Sequence, residues 1–386
     1  MSNIPKLRFP EFSGEWEKSE LGKFTQEITR VNSNSDAPIM MISAANGFIL
    51  QSNKYSKEMT GQSLKKYIEL HAGEFAYNHG ASKLKKYGAC FCLDLDKARI
   101  PFVYHCFKLT EGNTKFFSYL LNRTQLDSEL ARYISSSARM DGLLNISYTD
   151  YMKINISVPT LAEQQKIADF LSNVDPIITA ETKILNTLQT KKKALMQKLF
   201  TRQLRFKSDD GTDFPAWEEK KVIDFAKVDT GANNTQDKVE DGPYPFYVRS
   251  PIIYRSNKYI FDFPEAVLTV GDGVGTGKVF HYVQGKFDCH QRVYVIHDFE
   301  NVLGKYFYFY FSEKFYARVK PMSAKNSVDS VRREMITDMK IPIPCKAEQQ
   351  KIADCLSSMD SLIQTQQKVV TTWQQRKKAL LQQMFI

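Results

Sequence analysis

The sequence predicts an α+β protein with two β-rich domains, each followed by a long helix, with the two helices packing against each other as a coiled coil. Three observations predict this fold. The heptapeptide EQQKIAD at 163–169 returns at 348–354, heptad-spaced apolar residues follow each copy, and the segments between the copies have strand-like patterns. A chain of 386 residues is also longer than one hydrophobic core usually serves.

The repeat extends over about forty residues at a constant offset. KKKALMQKLF at 191–200 matches RKKALLQQMF at 376–385, and a proline precedes each block, at Pro159 and Pro344. Apolar residues recur at spacings of three, four or seven, which indicates a helix that packs along one seam. The seam residues are Leu171, Val174, Ile178, Leu185, Leu188, Leu195 and Leu199 in the first copy and Leu356, Met359, Ile363, Val370, Trp373, Leu380 and Met384 in the second.

Two features qualify the helical pattern. Polar residues interrupt the seam at the same place in both copies, Glu181/Gln366 and Lys192/Lys377, where they can fix helix register. Pro176 has Ser361 as its counterpart. Because proline is tolerated in a helix's first turn, the first copy is expected to form a short helix near 161–172 and a long one near 176–200, or else one kinked helix.

The two halves of the chain share their ends and differ in their bodies. LRF at 7–9 recurs at 204–206, and each copy is followed by a tryptophan. The bodies 25–158 and 226–343 are dissimilar, β-rich and broken by Gly, Pro, Asn and Asp, with helices expected near 114–134 and 302–319. The predicted divisions are a first domain at 1–158, a helical spacer at 159–200, a second domain at 201–343 and a second spacer at 344–386.

Composition favours a folded protein with an acidic partner. The formal charge is +10 and the pI is near 9.1, which suggests nucleic acid before an anionic membrane. The start of the chain lacks the apolar run of a signal peptide and no segment is long enough to span a bilayer, so a cytoplasmic protein without membrane association is expected. The six cysteines contain no CxxC pair, so reduced thiols and no metal site are expected.

Three short motifs approach enzyme signatures without meeting them. GDGVGTGKV at 271–279 lacks the first glycine and the final Ser or Thr of a P-loop and lies between strand-like runs, so it is interpreted as a hairpin. DGPY at 241–244 is interpreted as a turn, and EEK at 218–220 has no suitably placed acidic partner. The chain is therefore expected to be non-catalytic, with no catalytic residue and no cofactor of its own.

Polar and basic loops in the two bodies provide candidates for DNA contact. Arginine and lysine can donate to guanine, while asparagine and glutamine can pair with adenine in the major groove. Many such side chains contact only phosphate. The DNA-binding candidates are Asn78, Lys83, Lys85, Lys86 and Arg139 in the first body and Arg249, Lys278, Gln291, Arg292, Lys325 and Asn326 in the second.

The paired P-x-x-E-Q-Q-K-I-A-D blocks, each closing a half that opens with LRF and tryptophan, resemble the conserved regions of the specificity subunit of Type I restriction–modification enzymes. The resemblance implies two target recognition domains, each reading half of a bipartite double-stranded DNA target. It implies that the two long helices hold these domains apart and pack as an antiparallel coiled coil with pseudo-twofold symmetry. It also implies two methyltransferase subunits, two restriction subunits bound through them, and S-adenosylmethionine, ATP and magnesium in those partners. The docking candidates are Glu163, Gln164, Gln165, Lys166, Glu348, Gln349, Gln350 and Lys351.

Two other functions compete with DNA recognition. The chain could be a non-catalytic coiled-coil assembly scaffold whose basicity is incidental, or a nuclease or methyltransferase that acts alone. DNA affinity that falls steeply with salt favours DNA recognition over the scaffold. The absence of methylation and cleavage without added subunits argues against an enzyme that acts alone.

Overall fold

The computed structural model describes residues 3–32, 34–54, 61–80, 82–134, 144–273, 275–323 and 330–386. The chain forms two compact units: unit 1 comprises residues 1–181 and 369–386, and unit 2 comprises residues 182–368. The unit boundaries fall inside the two longest helices, so each unit contains one end of each helix. The predicted divisions end at 158, 200 and 343. Val158 and Ile343 are each the last residue of a strand, and Phe200 is the last residue of a helix.

Unit 1 is built from short antiparallel strands. A four-stranded sheet has the order β2-β9-β6-β7, and the remaining strands form the pairs β1-β10, β3-β4 and β5-β8. The strands are β1 Glu17–Glu20, β2 Thr25–Glu27, β3 Met40–Ser43, β4 Gly47–Leu50, β5 Ile68–His71, β6 Phe75–Asn78, β7 Ala89–Cys92, β8 Lys97–Ile100, β9 His105–Leu109 and β10 Asn155–Val158. Phe75 lies opposite both Cys92 and Phe107, and its ring stacks on that of Phe107 with centroids 5.3 Å apart.

Three helices of unit 1 begin at side chains that accept from their own first turn. Asn113 accepts from the backbone of Phe116, and Thr160 accepts from that of Glu163. The helices are α1 Thr114–Leu121, α2 Asp127–Tyr133, α3 Tyr148–Met152, α4 Leu161–Ser172 and the first part of α5 Val174–Phe200. The sequence predicted one helix near 114–134. The structure has two there, because a 3-10 turn at Thr124–Leu126 separates α1 from α2.

Unit 2 contains a larger sheet. Its six strands have the order β12-β17-β15-β16-β13-β14 and are antiparallel except for the β13-β16 pair, while β11 pairs with β18. The strands are β11 Glu218–Lys221, β12 Lys227–Thr230, β13 Tyr244–Tyr247, β14 Ile253–Ser256, β15 Phe261–Val270, β16 Phe280–Cys289, β17 Val293–His297 and β18 Lys340–Ile343. β15 and β16 flank 271–279, so the glycine-rich segment joins antiparallel strands, as expected, and does not precede a helix.

Unit 2 contains α6 Gly304–Ser323, α7 Arg333–Thr337, the first part of α8 Lys346–Gln383 and the last part of α5. Of these, α6 contacts β15 and β16, and α7 contacts β12. The core of unit 2 includes aromatic side chains from one face of α6, among which Phe307, Phe311 and Phe315 have no exposed surface. Their rings stack at spacings of 5.0 and 4.3 Å, so α6 is held to the sheet by an aromatic stripe.

The helical repeat folds differently in its two copies. The first copy is divided into α4 and α5 at Asn173, whereas the second is the single 38-residue helix α8. Pro176 explains the break, because proline has no N–H to donate to the carbonyl four residues earlier, at Ser172. Of the two alternatives, the structure has two helices, and the long one begins at Val174, two residues before Pro176.

The predicted seam residues are all at least partly shielded from solvent. Seven of them are buried: Leu171, Val174, Leu185, Leu199, Leu356, Val370 and Met384. Each seam lysine forms an ion pair, and the two pairs occupy equivalent positions in the two copies of the helical repeat. In unit 1, Lys377 of α8 pairs with Asp175 of α5, and in unit 2, Lys192 of α5 pairs with Asp360 of α8 at 2.5 Å. Within each unit, the beginning of one helical copy thus contacts the end of the other, as antiparallel helices require.

We expect the Lys192–Asp360 pair to stabilise the helix pairing. The Lys192 side chain is only 19% exposed, so Lys192→Glu places two carboxylates together in a partly shielded site and should lower the free energy of unfolding by about 2 kcal/mol. Adding Asp360→Lys should restore most of that loss in urea unfolding. The control, Lys193→Glu, changes an exposed neighbour and should unfold like the unaltered protein. Equal losses in the single and double variants would contradict this.

Candidate nucleic-acid interface

A buried carboxylate joins the repeated segments at the two ends of each half of the chain. In unit 1, Arg8 forms two hydrogen bonds with Glu163, of 2.8 and 2.7 Å, and Trp16 donates its indole N–H to the same carboxylate at 3.3 Å. Glu163 is 1% exposed. Paired with this carboxylate, the guanidinium of Arg8 has a raised pKa. The repeated LRF, tryptophan and EQQ elements are therefore parts of one structural site.

Unit 2 repeats this geometry. Arg205 donates to Glu348 at 3.0 and 2.7 Å, and the Trp217 indole donates to the same carboxylate at 2.8 Å. Glu348 has no exposed surface. We call each set of arginine, tryptophan and glutamate an anchor triad: Arg8, Trp16 and Glu163 in unit 1, and Arg205, Trp217 and Glu348 in unit 2.

The glutamine after each triad glutamate binds the body of its unit. Gln164 accepts from the backbone N–H of Asn113 and donates to the carbonyl of Pro159, both at 2.9 Å. Gln349 accepts from the backbone of Leu303 at 2.7 Å and donates to the carbonyl of Pro344 at 2.8 Å. Each glutamine thus holds the residue preceding α1 or α6 against the start of the helical repeat.

These contacts give four of the docking candidates a structural role inside their own unit. Glu163, Gln164, Glu348 and Gln349 are buried and use their polar atoms within their own unit, so they form no exposed docking surface. The other four remain at the surface or partly so. Gln165 and Gln350 each bond the aspartate four residues later at 2.8 Å. Lys166 pairs with Glu11 at 3.2 Å and Lys351 with Asp209 at 2.6 Å. A docking role for these four stays a prediction.

The loops of unit 2 converge at one end of the six-stranded sheet. Gln291 donates its backbone N–H to the carbonyl of Asn233 at 2.8 Å, and Gly271 donates to that of Arg292 at 2.7 Å. Gly231 is required there, because a Cβ atom on it would lie 2.0 Å from the carbonyl oxygen of Cys289. Segments 231–234, 271–273 and 289–293 therefore form one surface.

Charged and amide side chains cover this surface. Arg249 and Arg292 both face Asp272, at 3.2 and 3.7 Å, with exposed side-chain fractions of 47% and 66% for the two arginines. Gln291 donates to the side-chain oxygen of Asn234 at 2.7 Å. Because Asp272 is only 25% exposed, it orients both guanidinium groups while their outer edges stay in solvent. We call Arg249, Asp272, Gln291, Arg292 and Asn234 the unit 2 loop cluster.

Lys278 lies near Asp272 in sequence, but its ammonium group lies over the ring of Tyr316. Its ammonium is 4.8 Å from the centroid of the Tyr316 ring, and its side chain is exposed. Sequence reasoning missed Asn234 and Asp272. The run GANNTQD at 231–237 signals a polar turn, but only the backbone contact between Asn233 and Gln291 shows that it joins the cluster.

Lys83, Lys85 and Lys86 of unit 1 lie on the loop between β6 and β7, and Asn78 is the last residue of β6. Lys83 and Lys86 are exposed, and Lys86 lies 5.3 Å from the Tyr87 ring centroid. Asn78 is already engaged, because its side chain accepts from Gly80 at 2.9 Å and donates to a backbone carbonyl at 3.3 Å. Lys85 is half-buried and donates to the carbonyl of Asn122, and a DNA contact by this side chain stays a prediction. Burial lowers the pKa of Lys85.

Buried histidines shape the same end of unit 1 and were not expected from the sequence. His79 contacts the carbonyl oxygens of Leu144 and Val103 at 2.7 and 2.9 Å, and its ring stacks on that of His105 at 5.0 Å. Burial lowers the pKa of His105. Leu144 follows 135–143, a segment outside the described residues. The candidates Arg139, Lys325 and Asn326 likewise lie outside the described residues.

Within the described ranges, no three His, Cys, Asp or Glu side chains are placed to hold a metal ion. The six cysteines are free thiols, and burial raises the pKa of Cys90 to about 12. In the same described ranges, none of the helices combines the length and apolarity needed to cross a membrane.

We expect the anchor triad to contribute strongly to stability. Arg8→Ala leaves the Glu163 carboxylate buried with only the Trp16 indole as a donor, and should lower the free energy of unfolding by about 3 kcal/mol. Lys166→Ala, which removes an exposed ion pair with Glu11, is the matched control and should leave unfolding unchanged. Urea titration followed by tryptophan fluorescence measures both. Similar unfolding curves for the two variants would refute the structural role of the triad.

Comparison with known proteins agrees with this architecture. The sequence profile of the Type I restriction modification DNA specificity domain matches residues 22–190 and again residues 216–372. The MjaVIII specificity subunit of a type I restriction enzyme from Methanocaldococcus jannaschii is 24% identical over 277 residues, which span 64% of this chain and 65% of that protein. A second chain from this organism, named as the MjaX specificity subunit of a type I restriction enzyme, is 23% identical across 98% of this chain and 95% of its own length.

Two solved structures share the fold. The S subunit of a type I restriction-modification system from M. genitalium aligns over 99% of both chains with a TM-score of 0.64 and 12% identity. A chain from a structural study of complex assembly and conformational transition in the type I R-M system aligns over 96% of this chain and 97% of its own, with a TM-score of 0.53 and 14% identity.

Proposed function

The chain belongs to the Type I restriction modification DNA specificity domain family, with two copies of that domain, and we propose that each copy reads one half of a bipartite double-stranded DNA target. It is a DNA specificity subunit of a restriction–modification system. One observation carries the two-part reading: the anchor triads of the units match contact for contact, whereas their sheets have different strand numbers and orders. Equivalent anchor triads that hold two different sheets are consistent with a split target whose two halves differ in sequence.

The catalytic steps are assigned to partner subunits. Two methyltransferase subunits that bind S-adenosylmethionine would methylate adenine, and two restriction subunits bound through them would use ATP and magnesium. This chain would bind none of these cofactors and would act in the cytoplasm. The alternative of a coiled-coil scaffold with incidental basicity is not favoured, because both domain copies match a family defined by DNA specificity.

The long helices would set the distance between the two half-sites. α5 has 27 residues, which corresponds to about 40 Å at 1.5 Å per residue. That length equals about twelve base pairs at 3.4 Å per pair, slightly more than one helical turn.

We expect the unit 2 loop cluster to contact DNA. Combining Arg249→Ala with Arg292→Ala removes two exposed cations and should weaken binding of the cognate duplex at least about tenfold while reducing its salt dependence by about two counterions. Lys227→Ala is the control, because this 73% exposed lysine lies at the opposite end of β12. Fluorescence anisotropy from low to high salt, with the methyltransferase present, measures both. Unchanged salt dependence in the arginine variant would contradict this contact.

Domain exchange tests the two-part reading directly. Replacing residues 25–158 with the body of another specificity subunit should change one half of the methylated sequence and leave the other half and the spacing intact, as read by sequencing methylated adenines. Inserting four residues after Gln189 should instead change only the spacing, because it lengthens α5 by about 6 Å. A change in both half-sites after the exchange would defeat the modular proposal.

A chain that acted alone would also be detected. Incubating the purified chain with duplex DNA, S-adenosylmethionine, magnesium and ATP should yield neither methylated nor cleaved product. Adding the methyltransferase subunit supplies the positive control for methylation. Robust activity without added subunits would overturn the assignment of catalysis to partners.

A further inference from the structure

Asp288 supplies a second kind of buried carboxylate, next to the unit 2 loop cluster. It lies near the end of β16, is 1% exposed and accepts three hydrogen bonds. The side chain of Asn233 donates to its Oδ1 at 2.6 Å, the backbone N–H of Cys289 donates to the same oxygen at 2.8 Å, and the Ser256 hydroxyl donates to its Oδ2 at 2.7 Å. All three donors are uncharged groups, in contrast to the arginine of each anchor triad.

The bond between Asp288 and Asn233 connects two segments that are 55 residues apart. A carboxylate held out of water by uncharged donors costs free energy that an apolar residue at the same place would avoid. An apolar residue, however, could not hold the Asn233 amide. The same segments also meet through the backbone, where Gln291 donates its N–H to the carbonyl of Asn233 at 2.8 Å. Asp288 thereby fixes the residue before Asn234 against the turn that carries Gln291.

This turn gives the Gln291 side chain one orientation. His290, the preceding residue, donates its backbone N–H to the carbonyl of Tyr247 and accepts at Nδ1 from the backbone of Arg292, both at 2.9 Å. The Gln291 side chain is exposed, and its Nε2 donates to Oδ1 of Asn234 at 2.7 Å. That bond determines which end of the amide carries the donor. In the part of the chain that the structure describes, its second N–H and its Oε1 have no protein partner.

A glutamine amide with one available N–H and one available oxygen matches adenine. In the major groove, adenine presents N7 as an acceptor and its N6 amino group as a donor, side by side. We propose that Gln291 reads an adenine in the half-site bound by unit 2, and that Asp288 is the positioning residue that holds the reading loop through Asn233. This role rests on the proposed function and specifies which base that part of the surface recognises.

Base preference, measured by fluorescence anisotropy with the methyltransferase present, tests the reading role. The domain exchange assigns to unit 2 the half-site that stays unchanged. Each A·T pair of that half-site is replaced in turn, and each adenine is separately replaced by 7-deazaadenine, which lacks the N7 acceptor. At one position, both replacements should weaken binding by the unaltered chain about tenfold and leave binding by Gln291→Ala nearly unchanged.

Three further variants separate positioning from stability. Asn233→Ala removes the link between Asp288 and the loop, so it should reduce the same preference at least about threefold and leave the other positions unchanged. Asp288→Asn should retain the preference, because asparagine keeps an acceptor for Asn233 and its amide can donate to the Ser256 hydroxyl. Ser256→Ala is the matched control. It removes a hydrogen bond of similar length from the same carboxylate but keeps the link to the loop, so it should lower stability in urea without changing base preference.

The outcomes distinguish this role from the proposed function itself. Normal affinity with unchanged preference at every position in Gln291→Ala and Asn233→Ala would overturn the inference and leave the proposed function intact. A preference lost only at a G·C pair would exclude adenine as the base that Gln291 reads. An equal loss of preference in Ser256→Ala and Asn233→Ala would show that Asp288 acts through stability alone. Failure of the unaltered chain to bind any duplex with the methyltransferase present would defeat the proposed function and this inference together.

Discussion

The structure of each unit depends on one carboxylate held out of water. An ionised glutamate with almost no exposed surface is stable only when cations and donors surround it. Arg8 and Glu163 lie 155 residues apart, and Arg205 and Glu348 lie 143 residues apart, so each carboxylate is satisfied only when the two ends of the body between them are brought together. The triad thereby fixes the first segment of each half against the start of its helical repeat.

That constraint leaves the intervening body free to differ. The triads and the neighbouring glutamines contact the ends of each body and the segment around the start of α1 or α6, where Trp16 meets Phe116 and Trp217 meets Tyr306. Unit 1 accordingly holds a four-stranded sheet with three strand pairs, and unit 2 holds a six-stranded sheet. Loops far from the triads, such as those that bring Arg249 and Arg292 to Asp272, can vary without disturbing the supports. A specificity subunit needs this separation if new targets are to arise without loss of assembly.

The sequence predicted what is periodic or repeated and missed what depends on distant contacts. The heptad pattern and the 185-residue offset located both helical copies, and Pro176 located the break between α4 and α5 to within a few residues. The burial of Glu163 and Gln164 was not predictable, because helical periodicity shows neither Arg8 nor Asn113 approaching from elsewhere in the chain. Strand order was hidden for a similar reason: an apolar run shows that a strand is buried but not which strand lies beside it.

Candidate site residues divide in the same way. The loop of residues 289–293 was identified from its composition, and Gln291 and Arg292 do lie on an exposed surface. Lys85 was selected with Lys83 and Lys86 because all three belong to one basic loop, yet its side chain turns inward to Asn122. Local composition gives the charge of a loop, whereas the direction of each side chain depends on the acceptors that other segments supply.

The departures from exact duplication follow a physical logic of their own. Pro176 separates α4 from α5 in the first copy. Asp175, the residue before it, accepts from both Lys377 and the Tyr119 hydroxyl, the latter at 2.9 Å. In unit 2, Asp360 accepts from Lys192, and Phe309, which has no hydroxyl, aligns with Tyr119. The additional hydrogen bond therefore occurs in the copy whose helix is broken. Since α8 is continuous at this point, its own backbone supplies the restraint that the broken copy obtains from Tyr119.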